Sequence, residues 1–307
     1  MKIVYLGTPQ FAVAPLERLL GMSGAEVIAA VTNLDKPVGR KQVLTPPPVK
    51  VLAQSRGIPV LQYKSIRKEG VSDIKRLAPD LMVTCAFGQI LSKEILDIPR
   101  LGVFNIHGSL LPKYRGASPV QSAILNGEKV TGITIMKTDE GIDTGDILLT
   151  ESVNIPEGAT SGELFEILSA LGADCIEKAV KLIAGGNYTL TPQDGAQATH
   201  TGIIKKEQAF TDFTESAEKL VNKVRAFNPS PIVYTLLNGQ PLKIYKAEKA
   251  EGSGAPGEVL KAEGELIVAC GAGAVRLLTV QKSGGKAMGA AEFLRGQRLV
   301  RGSLIGK

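Results

Sequence analysis

Three side chains between positions 105 and 143 could share one kind of chemistry: Asn105, His107 and Asp143. The hexapeptide GVFNIH, residues 102–107, reads as a short strand. Strand side chains alternate between faces, so Asn105 and His107 point to the same side. An amide donor that cannot titrate then lies beside an imidazole whose ordinary pKa is close to neutrality. That pairing suits a reaction in which an oxyanion develops on a carbonyl while a proton is moved. Asp143, within GIDTGD, is an acid able to orient or charge the imidazole. Singly, each residue has an ordinary explanation, since a lone strand histidine is usually a satisfied structural group and an aspartate among glycines a turn former. The combination is what points to a site.

The elements that must position these residues follow from hydrophobic patterning. Through about residue 185, short apolar runs (KIVYL, EVIAAV, DLMVTCA, GVFNIH) alternate with helical patterns over residues 10–20, 48–55 and 71–77. This alternation predicts an α/β fold, a doubly wound Rossmann-like domain whose ligands bind outside the carboxyl ends of the strands. Further strands are expected at 131–136 and 147–153, with helices across 120–125 and 161–183. The segment 32–50, TNLDKPVGRKQVLTPPPVK, is longer than most connections of its type and marks a functional or mobile loop, with Arg40 and Lys41 placed to reach a phosphate. Residues 187–205 are polar, contain glycine and lack a period, so they are expected to link two domains, 1–186 and 206–307. After a helix at 217–226, about five short strands with an Asn238-Gly239 hairpin turn predict a small OB-like β-barrel.

Composition narrows the partners. Residues 1–204 carry 20 Lys+Arg and 20 Asp+Glu, whereas residues 205–307 carry 16 against 10, so the whole net charge of +6 lies in the last third. A polyanionic partner for that third follows. The N-terminal apolar run is broken at Gly7-Thr8-Pro9, too early for a signal peptide, and no stretch approaches membrane-spanning length, so a cytoplasmic protein is expected. Cys85, Cys175 and Cys270 lie far apart in apolar surroundings and are expected as buried thiols, with neither disulfide nor zinc. A dinucleotide-dependent oxidoreductase is disfavoured because GTPQFA after the first strand lacks the GxGxxG spacing, and no ribose-binding acid ends EVIAAV.

The order NxH, SLLPKYRG, DEGIDTGD resembles the formyltetrahydrofolate-dependent formyltransferases. GTPQFA (7–12), DKPVGR (35–40), PPPVKVLA (46–53), RAFNPSP (225–231) and GKAM (285–288) follow the pattern of the branch that formylates initiator methionyl-tRNA, over essentially the whole chain. The resemblance implies 10-formyltetrahydrofolate as formyl donor, no metal or redox cofactor, and initiator methionyl-tRNA as the acceptor, and nothing in the sequence demands more than a monomer. It assigns Asn105, His107 and Asp143 to catalysis. It places Ser109, Leu110, Leu111 and Pro112 at the tetrahydrofolate site, with Ala86, Phe87, Gly88, Gln89, Ile90 and Leu91 nearby and Asp139 and Gly141 in the opposing turn. Candidate tRNA contacts are Arg40 and Lys41 in the long loop and Lys243 and Lys286 in the basic third. Gln42 and Val43 follow Lys41 where the family is usually more basic, so fewer phosphate contacts are expected from this loop. A nucleotide sugar, glycinamide ribonucleotide or water would be alternative acceptors. The basic last third argues against them. An inactive RNA-binding relative would be expected to lack one of the three polar residues, and all three are present.

Overall fold

The computed structural model describes residues 1–39 and 41–306. The chain divides into two units: residues 1–119, 130–154 and 165–201 form the first, and residues 120–129, 155–164 and those from Gly202 onward form the second. The first is built on seven strands: β1 (Lys2–Gly7), β2 (Glu26–Thr32), β3 (Val60–Gln62), β4 (Leu81–Cys85), β5 (Val103–His107), β6 (Val130–Lys137) and β7 (Ile147–Asn154). Their order across the sheet is β7-β6-β5-β4-β1-β2-β3. The five strands from β5 to β3 are parallel, and β6 and β7 run antiparallel at the other edge. The alternating β/α pattern foretold the parallel part. Only 9 residues separate the end of β6 at Lys137 from the start of β7 at Ile147, too few for a parallel crossover, so this pair must turn back on itself.

Both faces of the parallel strands are covered, which is why β1 and β4 read as continuous apolar runs. Helices α1 (Val13–Leu20), α2 (Pro48–Ser55) and α3 (Val71–Leu77) fall where the patterning placed them. On one face a cluster including Val4, Leu6, Val31, Met82, Phe87, Ile95 and Val103 is buried. Along β5 the face that begins with Val103 continues with Asn105 and His107, so the apolar core gives way to polar side chains towards the carboxyl end. On the opposite face Ile106 packs against the 25-residue helix spanning Ser161–Gly185. A Cβ built on Gly172 would come within 3.2 Å of Ile106 Cγ2, so glycine lets this helix approach closely.

Two expectations are modified. The 32–50 loop contains a small antiparallel ribbon, Lys36–Val38 paired with Val43–Thr45, with Leu34, Val38, Val43 and Leu44 exposed. Its base is fixed by Lys50, which donates to both oxygens of Asp35 at 2.8 Å and to Gln62 Oε1 at 2.9 Å. The stretch expected as a linker, 187–205, instead packs with the first unit as far as Thr201. Thr191 bridges Ile147, and His200–Thr201 pairs in parallel with Arg115–Gly116. Polarity without period marked it as irregular, but backbone and side-chain hydrogen bonds hold it in place.

The second unit carries β8 (Val233–Leu237), β9 (Gln240–Ala250), β10 (Val259–Lys261), β11 (Leu266–Ala269) and β12 (Ala274–Lys282), in the order β8-β9-β12-β11-β10. Register shifts near Lys246 on β9 curl the antiparallel sheet into an OB-like half-barrel. Asn238 and Gly239 both have positive φ, 50° and 71°, as a two-residue hairpin turn requires. Helix 217–226 is capped by Ser216, whose hydroxyl accepts from the Lys219 N–H. Cys85, Cys175 and Cys270 are buried free thiols, and among the described residues no helix is long and apolar enough to cross a membrane.

Candidate active site

Asn105, His107 and Asp143 meet. Because β6 runs antiparallel to β5, Lys137 lies beside Phe104, and the turn that follows folds across the face carrying Asn105 and His107. Asn105 Nδ2 donates to Asp143 Oδ1 at 3.4 Å, and His107 Nδ1 is 3.5 Å from the same oxygen. His107 is 5% exposed and Asp143 15%, so this cluster is largely withdrawn from water but still reachable. The other imidazole nitrogen, Nε2, lies 3.0 Å from the Tyr114 carbonyl oxygen. A carbonyl can only accept, so Nε2 carries the proton and Nδ1 is the nitrogen left to exchange one beside Asp143.

Each member is oriented by a neighbour. Thr84, opposite Asn105 in the β4–β5 ladder, donates its hydroxyl to Asn105 Oδ1 at 2.8 Å, which turns the amide N–H groups towards Asp143. Asp143 has φ +53°, uncommon for a residue with a side chain, and its Oδ2 accepts from the Gly116 N–H at 2.8 Å. Its own carbonyl and that of Gly145 both accept from Gln193 Nε2, at 2.9 and 2.7 Å. Gln193 Oε1 in turn accepts from Arg115 Nε and Nη2 at 3.0 and 2.8 Å. Thr84 could have been suspected as a lone hydroxyl in an apolar strand. Gln193 carried no signal, being 50 residues from Asp143 in a featureless polar stretch.

The expected folate residues occupy two kinds of position. Ser109 is fully buried, and its hydroxyl donates to the Lys113 carbonyl at 2.7 Å, so it closes the turn from within. Thr134 on β6 fastens the same turn, donating to Ser109 O and accepting from the Leu111 N–H. Leu111 is buried, while Leu110 and Pro112 are half-buried. In the loop after β4, Ala86 and Gly88 are exposed with φ of +46° and +77°, and Ile90 is exposed. Phe87 and Leu91 belong to the core. Gln89 bonds Ile66 N, Asn33 Oδ1 and the Tyr63 carbonyl, so its side chain braces the loop. Asp139 accepts from Gly141 N–H and the Thr144 hydroxyl, using its carboxylate inside its own turn. At Gly141 a Cβ would sit 2.0 Å from Thr144 Oγ1, so that turn has no room for a side chain. Ile142 at its tip is 64% exposed, as is Ile90. Exposed apolar side chains on these two loops suit the faces of a flat heterocycle. Lys41, Lys243 and Lys286 are exposed, with Lys243 alternating between buried Leu242 and Ile244. Arg40 lies outside the described residues. Arg225 and Asn228 of RAFNPSP are structural: Arg225 Nε donates to the Ala159 carbonyl, and Asn228 Nδ2 to that of Tyr245.

A mixed sheet bearing an amide, an imidazole and a carboxylate in contact, joined to an OB-like unit, is the arrangement of a formyl transferase. The chain belongs to that family: residues 1–180 match the formyl transferase domain and residues 203–298 the formyl transferase C-terminal domain. It is 44% identical over 309 residues to the methionyl-tRNA formyltransferase of Geobacter sulfurreducens, covering 100% of this chain and 97% of that one. It is 45% identical over 310 residues to the enzyme of the same name from Bacillus licheniformis, covering 99% and 98%. Among solved structures it shares its fold with WlaRD, a sugar 3N-formyl transferase, at TM-score 0.69 and 23% identity over 92% of this chain and 97% of that one. HypX from Aquifex aeolicus in complex with tetrahydrofolic acid matches at TM-score 0.63 and 18% identity over 96% of this chain, which spans 47% of HypX.

Proposed function

We propose that this protein transfers the formyl group of 10-formyltetrahydrofolate to the α-amine of methionyl initiator tRNA, acting as a cytoplasmic monomer without a metal. The observation that carries the chemistry is the contact of Asn105, His107 and Asp143 around one carboxylate oxygen. The acceptor rests on the full-length likeness to methionyl-tRNA formyltransferases.

The neutral amine attacks the formyl carbon, a C–N bond forms, and the carbonyl electron pair moves onto oxygen. Asn105 Nδ2 and His107 stabilise that oxyanion, in a site where donors fixed in advance need not reorganise. Asp143 receives the proton released by the attacking nitrogen, and the His107–Asp143 pair delivers one to N10 as the C–N10 bond breaks. Tetrahydrofolate and the formylated amine leave. The heterocycle is held between residues 86–91 and 139–145, with Ser109, Leu110, Leu111 and Pro112 shaping the site. The second unit, with Lys243 and Lys286, and the loop at Arg40 and Lys41 hold tRNA phosphates. Such contacts weaken with added salt, because salt lowers the entropy gained when binding releases counterions from the phosphates.

The test is a comparison of acceptors by the full chain with 10-formyltetrahydrofolate. Charged initiator tRNA should be formylated, with activity falling steeply between low and moderate salt, and a nucleotide amino sugar should not. Transfer to the sugar with none to the tRNA would overturn the assignment.

A further inference from the structure

Asp143 is held from behind as well as from the site. The Gln193 amide donates to two carbonyls of its turn, at Asp143 and Gly145, while Arg115 binds the far side of the same amide through two guanidinium nitrogens. Arg115 is buried at 8% exposure, so this charge-assisted contact is shielded from competing water. The amide N–H groups are thereby aimed at the two carbonyls and cannot swing away without breaking four hydrogen bonds. What they hold is a residue in the left-handed region, a conformation unfavourable for a residue with a side chain, which persists only when its surroundings over-determine it.

We infer that Gln193, locked by Arg115, is a positioning residue for the formyl transfer proposed above, acting through the backbone of the Asp143 turn to keep that carboxylate against His107 and Asn105. The assignment rests on that reading of the function, but the geometry makes a prediction that needs no substrate. Without Gln193 the turn relaxes towards ordinary φ, and the Asp143 carboxylate moves off the imidazole. A misplacement of about 1 Å costs on the order of a hundredfold in rate.

The chain has 2 histidines, and His200 is exposed, so the imidazole NMR signals of His107 can be followed individually. Gln193→Ala should move the His107 signals towards their positions in Asp143→Ala and leave those of His200 in place. It should lower kcat by about tenfold or more with the KM for 10-formyltetrahydrofolate within about twofold, and this loss should largely vanish when introduced into Asp143→Ala. Gln193→Glu, which keeps the Arg115 contact but cannot donate to two carbonyls, should behave alike and serves if the alanine variant misfolds. His107 signals that stay at their wild-type positions in both Gln193 variants, or a kcat loss undiminished in the Asp143→Ala background, would overturn the inference. Absence of formyl transfer by the wild-type protein would instead overturn the proposed function and leave the spectral comparison standing.

Discussion

Replacing Gly116 by alanine should disable the site at a distance from any reacting atom. Gly116 has φ +111°, and a Cβ placed there would lie 2.2 Å from the Thr201 carbonyl oxygen, with the Thr201 hydroxyl at 3.2 Å. An ordinary carbon–oxygen contact is about 1 Å longer, and the obstacle is backbone in a paired strand, so residues 115–116 and 200–201 must separate. Holding alanine at this glycine-favoured φ costs about 1–2 kcal/mol and relieving the overlap a further 1–3. A loss of roughly 3 kcal/mol corresponds to a Tm lower by about 10 °C for a unit of this size. The same displacement withdraws the N–H that holds Asp143 Oδ2 at 2.8 Å, so kcat should fall about a hundredfold even below the new Tm. Gly195→Ala is the control, because a Cβ there meets nothing within 4 Å and φ is not positive. Differential scanning fluorimetry and steady-state formylation give both quantities. A Gly116→Ala protein that melts and turns over like wild type would show that the 115–116/200–201 pairing does not govern Asp143.

Asn105→Ala should lose roughly 10²- to 10³-fold in kcat in a formylation assay, the scale for removing one oxyanion donor, while Thr84→Val, which removes only the group orienting that amide, should lose about tenfold or less. Asp143→Asn should lower kcat far more than it raises KM in the same assay. Lys50, and then Gln62, hold the Asp35 carboxyl below the usual carboxylate range. A depressed carboxyl stabilises the fold above its unfolded pKa of about 4, and that stability is lost as pH falls through the folded value, so the Tm gap between wild type and Asp35→Asn should be full at pH 7 and close below about pH 4. Burial pushes the Cys85 and Cys175 thiols up to about 12 and that of Cys270 to about 11, so a thiol reagent at pH 8 should label the native chain slowly and all 3 positions after denaturation.

The parts legible in the sequence were those with local signals. The strand at 103–107 declared itself by its apolar run, and strand geometry alone put Asn105 and His107 on one face. Helices 48–55 and 217–226 followed from their helical patterning, and the Asn238-Gly239 hairpin from turn chemistry. That Asp143 returns to this face was supplied by the family pattern, since nothing in GIDTGD states which strand it folds over. The antiparallel edge was hidden because periodicity is blind to strand direction. The Arg115–Gln193 clamp and the pairing of 115–116 with 200–201 were hidden for a related reason. They join residues 78 and 86 positions apart, and an amide in TPQDG looks like any surface glutamine until the chain brings a buried guanidinium to it.

That late return also bears on how the site is assembled during synthesis. Asn105, His107 and Asp143 leave the ribosome well before the segment that secures them, for Gln193 follows Asp143 by 50 residues. At about 5–20 residues per second, roughly 3–10 s pass in which the acid's turn exists without its brace. A nascent chain therefore carries the chemical groups of the enzyme before it carries their geometry, and competence arrives with the residues that looked most like a tether.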